Sequence, residues 1–208
     1  MTQRFVKGHI AFRNRAGTEQ EYLQRLAIDG QQPTALYIGC SDSRVIPELL
    51  TGASAGELFV VRNVANYVPA LANADCSVGA AIDYAVGVLG VQDVIVCGHT
   101  GCGGIRAALE GVEALAPQQS SLREWVKNLV PTAENARARG FAGEALAQRT
   151  TEENVLDSLD NLTSYESVAA RLGEGSLGLH AWVYSLENLR LRVFHADHGV
   201  WADAEAVL

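Results

Sequence analysis

Apolar positions along the first third of the chain come first at helical spacing and then in unbroken runs. Within 17–29 (GTEQEYLQRLAID), Tyr22, Leu23 and Leu26 fall on one helical face and Gly30 follows as a stop, so an amphipathic helix is predicted there. Residues 34–39 (TALYIG) show no polar alternation, the pattern of a strand buried on both faces, which puts Cys40 just past a strand's carboxyl end. The pattern recurs. Residues 57–61 (ELFVV) read as a second strand, 76–89 as a helix with Asp75 as its N-cap, and 93–97 (DVIVC) as a third buried strand. Strand, helix and strand at this spacing predict a parallel sheet. From 121 to 172 the pattern is mostly helical, punctuated by Pro131 and Gly140, with Thr150 and Glu153 spaced as a capping box. Two last strands, 177–184 and 189–195, are predicted to form a hairpin at the sheet edge.

The fold class that follows is α/β, a mostly parallel central sheet flanked by helices. A single domain is expected over 1–208, with an N-terminal helical arm at 1–30, a catalytic core at 31–195 and a C-terminal tail at 196–208. With 208 residues and 48% of them hydrophobic, the chain can bury a sizeable core without disulfide or metal scaffolding. The net charge of −8 and the absence of any basic run exclude a nucleic-acid surface, which needs clustered Lys and Arg. No signal-peptide pattern occupies 1–12 and no segment reaches the roughly 18 apolar residues of a membrane span, so a cytoplasmic protein with no membrane partner is expected. Such a chain uses cysteines for metal binding or catalysis more readily than for a disulfide framework, which bears on Cys40, Cys76, Cys97 and Cys102.

Two motifs carry candidate chemistry: Cys40-Ser41-Asp42-Ser43-Arg44 after the first strand, and Gly98-His99-Thr100-Gly101-Cys102-Gly103-Gly104 after the third. Both lie at strand carboxyl ends, where open α/β sheets build their sites. Two thiolates and one imidazole are favoured zinc ligands, and three protein ligands leave a fourth position for water, the mark of catalytic zinc. Gly101, Gly103 and Gly104 let the backbone bend tightly around a metal. Either motif alone is more often a packed or hydrogen-bonded Cys or His, and the pair together reverses that. Cys76 and Cys97 read as small core residues, His195 and His198 as surface residues, and His180 as a structural histidine.

CSDSR followed about 55 residues later by GHTGCGG resembles the signature of the β-carbonic anhydrases. The similarity continues through 56–66 (GELFVVRNVAN), 81–85 (AIDYA) and 179–184 (LHAWVY), and so covers Gln31 to Tyr184. The resemblance implies an enzyme that interconverts carbon dioxide and bicarbonate, with one Zn2+ per chain on Cys40, His99 and Cys102. Zinc lowers the pKa of its bound water toward about 7, and the resulting hydroxide attacks carbon dioxide. Asp42 and Arg44 resemble a dyad in which Arg44 orients the carboxylate; the alternative is an Asp42 that caps the turn beside a solvated Arg44. Gln31, Phe59 and Tyr84 resemble residues lining the substrate cleft, core packing remaining open for the two aromatics. A homodimer or homotetramer is implied, with the N-terminal helix as a candidate arm across the partner; the chain's own core is the other surface that could cover its apolar face.

Within that family the chain also resembles a subgroup that switches itself off, Asp42 leaving Arg44 to become the fourth zinc ligand of a closed state. Its marks are a bicarbonate pocket to which Gly39, Val45, Arg62 and Tyr184 correspond, whereas Tyr37 stands where Trp is expected. A working switch implies low activity near neutral pH, recovery toward about pH 8 to 9 as hydroxide displaces Asp42, and sigmoidal inhibition by bicarbonate. Tyr37 packed as an ordinary core aromatic implies an always-open site instead. Two competing functions are a zinc hydrolase of carbon disulfide or carbonyl sulfide on the same scaffold, and a non-catalytic scaffold protein with structural zinc. The presence of both Asp42 and Arg44 ranks the last one low.

Overall fold

The computed structural model describes residues 2–14, 17–73 and 75–206. Its helices are α1 (Gln3–Arg13), α2 (Thr18–Asp29), α3 (Pro47–Thr51), α4 (Cys76–Asp83), α5 (Gly103–Glu110), α6 (Ser120–Lys127), α7 (Val130–Ala138), α8 (Gly143–Leu162) and α9 (Glu166–Gly173). Strand β1 (Ala35–Cys40) is apolar throughout because it lies inside the sheet with both faces covered. β2 (Leu58–Asn63) and β3 (Asp93–His99) flank it in parallel, and β4 (Gly178–Tyr184) pairs in parallel with β3. β5 (Leu191–His195) and β6 (Val200–Asp203) follow antiparallel, giving the order β2-β1-β3-β4-β5-β6. The sheet is the mostly parallel one that the strand and helix pattern predicts.

Alternation across β1 and β3 sends side chains to two different cores. Leu36, Ile38, Val94 and Val96 join Val78 and Ile82 of α4, Val155 and Leu162 of α8 and Val168 of α9. Complete burial of each such side chain contributes about 1.5–3 kcal/mol. On the opposite face Tyr37, Ile95 and Cys97 pack with Leu58, Val60 and Trp182. A third cluster, Ile105 and Ala108 of α5 with Val126, Leu129 and Ala133, closes around Cys40 and Cys102 and positions the site.

The expected helical arm is present, and three other sequence expectations are corrected. Among the described residues the arm contains two helices, and α1 has no buried residue, since Phe5, Val6, Ile10 and Phe12 are all exposed. α2 rests on its own chain, its Tyr22 hydroxyl donating to the Ala55 carbonyl at 3.0 Å. Thr150 and Glu153 form no capping box: α8 runs through them, the Thr150 hydroxyl donating to the Leu146 carbonyl at 2.8 Å while Glu153 pairs with Arg149. A threonine satisfied by the carbonyl one turn back is compatible with a helix interior. The hairpin of β4 and β5 is internal, because residues assigned to the tail supply β6 as the true edge. Finally, α4 stops at Asp83 and passes into a π-helical turn, Tyr84–Val88, so the helix expected over 76–89 changes winding part-way. Asp75 does cap it, accepting from the amides of Ser77 and Val78. Pro131 falls in the first turn of α7, where its missing N–H costs nothing. Met1, Val207 and Leu208, the extremities of the expected arm and tail, lie outside the described residues.

Candidate active site

Cys40 and His99 are the last residues of β1 and β3, neighbouring parallel strands whose carboxyl ends emerge side by side. The chain then turns through Gly101, at φ 64, and delivers Cys102 as the N-cap of α5. A side chain at Gly101 would strain that left-handed backbone. Gly104 permits a second close approach, since a Cβ there would lie 2.8 Å from Val64 Cγ1 and 2.9 Å from Ala65 Cβ. The ligand atoms of Cys40, His99 and Cys102 lie within 4.8 Å of one another, and all three residues are buried.

This donor set fits zinc. The two sulfurs are 3.9 Å apart, too far for a disulfide bond, while two thiolates at about 2.3 Å on a tetrahedral ion are about 3.8 Å apart. His99 is fully buried, and its Nδ1 donates to the Thr100 carbonyl at 2.8 Å, which leaves the Nε2 lone pair free. Nε2 has no hydrogen-bond partner among the described residues. A buried polar atom left unpaired costs about 1–3 kcal/mol, a cost that a metal at Nε2 removes. The contact between the two sulfurs couples them: it favours the thiolate at Cys40 and pushes the Cys102 thiol up, where burial adds to the effect.

Asp42 and Arg44 are paired beside this cluster. Arg44 donates from its amide and Nε to Asp42 Oδ1, at 3.0 and 2.9 Å, and from Nη2 to Oδ2 at 2.7 Å. Those bonds hold the Asp42 carboxyl well below the usual carboxylate range. Arg44 Nη2 also reaches the Gly101 carbonyl at 3.3 Å, tying the two strand ends together. Asp42 Oδ2 stands 4.0 Å from His99 Nε2. A cleft of about 440 Å³ opens over Cys40 and Asp42, with Val64, Ala107, Leu115 and Leu122 as its apolar wall.

Residues 35–191 match the model of the family described as Carbonic anhydrase. The chain belongs to the carbonic anhydrase family. It is 39% identical to a carbonic anhydrase of Pseudomonas aeruginosa over 191 residues, which cover 89% of this chain and 84% of that protein. Carbonic anhydrase 1 of Escherichia coli O157:H7 is 33% identical over 194 residues, 91% of this chain and 86% of the relative. Among solved structures, the β-carbonic anhydrase CcaA superposes with a TM-score of 0.89 at 32% identity, covering 97% of this chain and 98% of that one. A tetrameric β-carbonic anhydrase of Sordaria macrospora superposes with a TM-score of 0.76 at 27% identity, covering 97% and 95%.

In this β-carbonic anhydrase the three expected cleft residues do not gather at the ligand cluster of their own chain. Phe59 pairs with Leu36, four residues back from Cys40, or about 13 Å along the strand. Its ring meets Tyr84 at 5.9 Å between centroids, and Tyr84 is exposed. Gln31 is exposed and precedes the start of β1. All three therefore belong to the opposite end of the strands, a placement that local motif similarity does not reveal.

The residues expected around a bicarbonate pocket lie close together, Gly39 pairing with Arg62 across β1 and β2. The Tyr37 ring is fully buried and fills the space over Gly39, whose Cβ would sit 2.5 Å from Tyr37 Cε1. Burial, with the Cys97 thiol beside it, pushes the Tyr37 phenol far above its ordinary range, and Cys97 itself is pushed up to about 12 by burial. Arg62 spends Nε on the Cys40 carbonyl at 2.9 Å and Nη2 on the Asp42 carbonyl at 2.6 Å, so it clamps the dyad loop. Val45 is buried and Tyr184 ends β4 opposite His99. Asp42, expected as a fourth ligand in a closed state, is turned to Arg44.

Motif reading missed three supports. Ala65 and Asn66 both have positive φ, 63 and 49, in a turn clamped by Asn154 Nδ2 on the Ala65 carbonyl and by Trp125 Nε1 on the Val64 carbonyl. Glu187 accepts from the Thr100 hydroxyl. Thr100 lay in plain view next to His99, but its partners are fixed by strand pairing far along the chain.

Proposed function

We propose that the chain catalyses reversible hydration of carbon dioxide to bicarbonate and a proton, with one zinc ion on Cys40, His99 and Cys102. The observation that carries this reading is the buried, unpartnered His99 Nε2 converging with two thiols beside an intact Asp42–Arg44 pair. Zinc, when bound, supplies the Lewis acidity that makes a water nucleophilic near neutral pH. Each remaining task falls to the chain. Asp42, kept ionised by Arg44, accepts a hydrogen bond from the reacting water at Oδ2 and orients it. Arg44 fixes the carboxylate through two parallel bonds. Val64, Ala107, Leu115 and Leu122 give a small apolar substrate a dry wall.

Gln31, Phe59 and Tyr84 are proposed to serve the cleft of a neighbouring subunit in a homodimer or homotetramer. Their distance from the local cluster supports this, as do the outward apolar side chains of α1, which an assembly would cover. We place the protein in the cytoplasm, where ligand thiols remain reduced; all four cysteines are free, and no helix among the described residues is long and apolar enough to cross a membrane.

We further propose that the site stays open. The Tyr37 ring over Gly39 and the two carbonyls held by Arg62 support this, because an anion entering there would have to displace both. Inhibition of the enzyme by bicarbonate should then follow a hyperbolic dose curve; a sigmoidal one, with recovery only at alkaline pH, would restore the closing switch. Stopped-flow carbon dioxide hydration, before and after removal of zinc by a chelator, tests the reaction itself. Hydration unchanged by complete zinc removal would refute it.

A further inference from the structure

Thr100 joins the ligand His99 to the rest of the sheet, and each of its polar groups is used. Its N–H donates to the Tyr184 carbonyl at 3.0 Å, and its own carbonyl accepts from His99 Nδ1 at 2.8 Å. Its hydroxyl accepts from the Leu186 amide at 2.9 Å and donates to Glu187 Oε2. The same carboxylate oxygen accepts from Ser185 Oγ at 2.9 Å. A threonine hydroxyl has one proton to give. Glu187, ionised and an acceptor only, takes that proton and leaves the hydroxyl oxygen to receive the Leu186 N–H.

The turn that presents Glu187 is itself constrained. It leaves β4 and closes through Ser185 N–H on the Arg190 carbonyl at 2.8 Å and Leu189 N–H on the Ser185 carbonyl at 3.0 Å. Leu189 sits at φ 62, a conformation that costs a non-glycine residue about 1–3 kcal/mol. With Leu189 72% exposed, its packing does not offset that cost. The hydrogen bonds of the turn, those to Thr100 among them, are what hold it.

We propose that Glu187 is a positioning residue of the metal centre, acting through the Thr100 hydroxyl to fix the peptide whose carbonyl sets the tautomer and ring orientation of His99. The inference rests on the reading of Cys40, His99 and Cys102 as zinc ligands. A ligating histidine needs its second nitrogen held, and loss of such an outer partner typically weakens metal binding 10- to 100-fold. Here the outer partner is a main-chain carbonyl that no substitution can delete. The side chains that immobilise it are the adjustable element.

Zinc-loaded wild type, Thr100→Val, Thr100→Ser and Glu187→Gln are compared for the rate of zinc release to a chromogenic chelator and, after exchange to cobalt, for the visible spectrum; thermal melting of the same samples reports folding. Thr100→Val and Glu187→Gln should release metal about 10- to 100-fold faster, with altered cobalt bands, while Thr100→Ser should recover the wild-type rate. Folded Thr100→Val and Glu187→Gln proteins with wild-type release and spectra would overturn the proposal even if they melt lower. So would Thr100→Ser releasing metal as fast as Thr100→Val. Wild-type protein unable to hold stoichiometric zinc would overturn the ligand reading itself, whereas stoichiometric zinc with unchanged release in both variants would overturn the role of Glu187 alone.

Discussion

The two strand ends that meet at the site are built alike and finished differently. After β3, segment 98–104 is held from within: His99 is fully buried, its Nδ1 is bonded to the next carbonyl, and Gly101 turns the chain straight into α5. After β1, segment 40–45 buries Cys40 but turns Arg44 into solvent, its side chain 57% exposed against 17% for Asp42. A ligand must be fixed before the metal arrives, and burial with few alternative partners does that. A carboxylate that handles water must stay ionised and in contact with the cleft, which a half-exposed arginine pair achieves. The difference teaches that rigidity resides in the β3 end and water chemistry in the β1 end.

The largest effect should come from breaking the β3 end. Cys102→Ala removes one of three ligands, and most of the zinc should be lost with more than about 100-fold of the activity, measured by metal analysis and stopped-flow hydration. Asp42→Asn breaks the β1 end instead. It should keep stoichiometric zinc while kcat/KM falls by about 10²–10⁴-fold, the range for loss of an acid–base group. Zinc lost from Asp42→Asn to the extent seen in Cys102→Ala would erase the division between the two ends.

Gly101→Ala is the next step down. A Cβ at φ 64 costs about 1–2 kcal/mol, which should lower Tm by about 2–8 °C in calorimetry of the metal-loaded protein. The smallest effect is the stability contributed by the Asp42–Arg44 pair. Arg44 lowers the folded pKa of Asp42 below its unfolded value of about 3.9, so the contribution is complete above about pH 5 and is lost as pH falls through the acid range. The pair is open to solvent, which screens it, so the difference in stability between wild type and Asp42→Asn should be small at pH 7. Urea denaturation at pH 7 and pH 3 should show that difference shrinking in acid; a difference that grows in acid would contradict the ion-pair account.

What could be read from the sequence was whatever is local. The run 34–39 announces a strand covered on both sides, and β1 is that strand; the residues after β1 and β3 announce thiols, an imidazole and a carboxylate at strand ends, and folding brings those side chains within a few ångströms. What could not be read depends on distant pairing. Glu187 reaches Thr100 because β4 pairs with β3, and no periodicity near either residue signals it. Thr150 and Glu153 carry the letters of a helix start, but the preceding turn of α8 is itself helical and absorbs them. The arm shows the same limit, since the outward apolar side chains of α1 find no covering surface among the described residues.

One paired measurement tests the central claim most directly: zinc content and carbon dioxide hydration rate determined on the same samples of wild type, chelator-treated wild type, zinc-reconstituted wild type and Cys102→Ala. The account predicts about one zinc per chain with rapid hydration in the first and third samples, and loss of both together in the second and fourth. Fast hydration in a zinc-free sample, or a fully zinc-loaded and active Cys102→Ala protein, would contradict it.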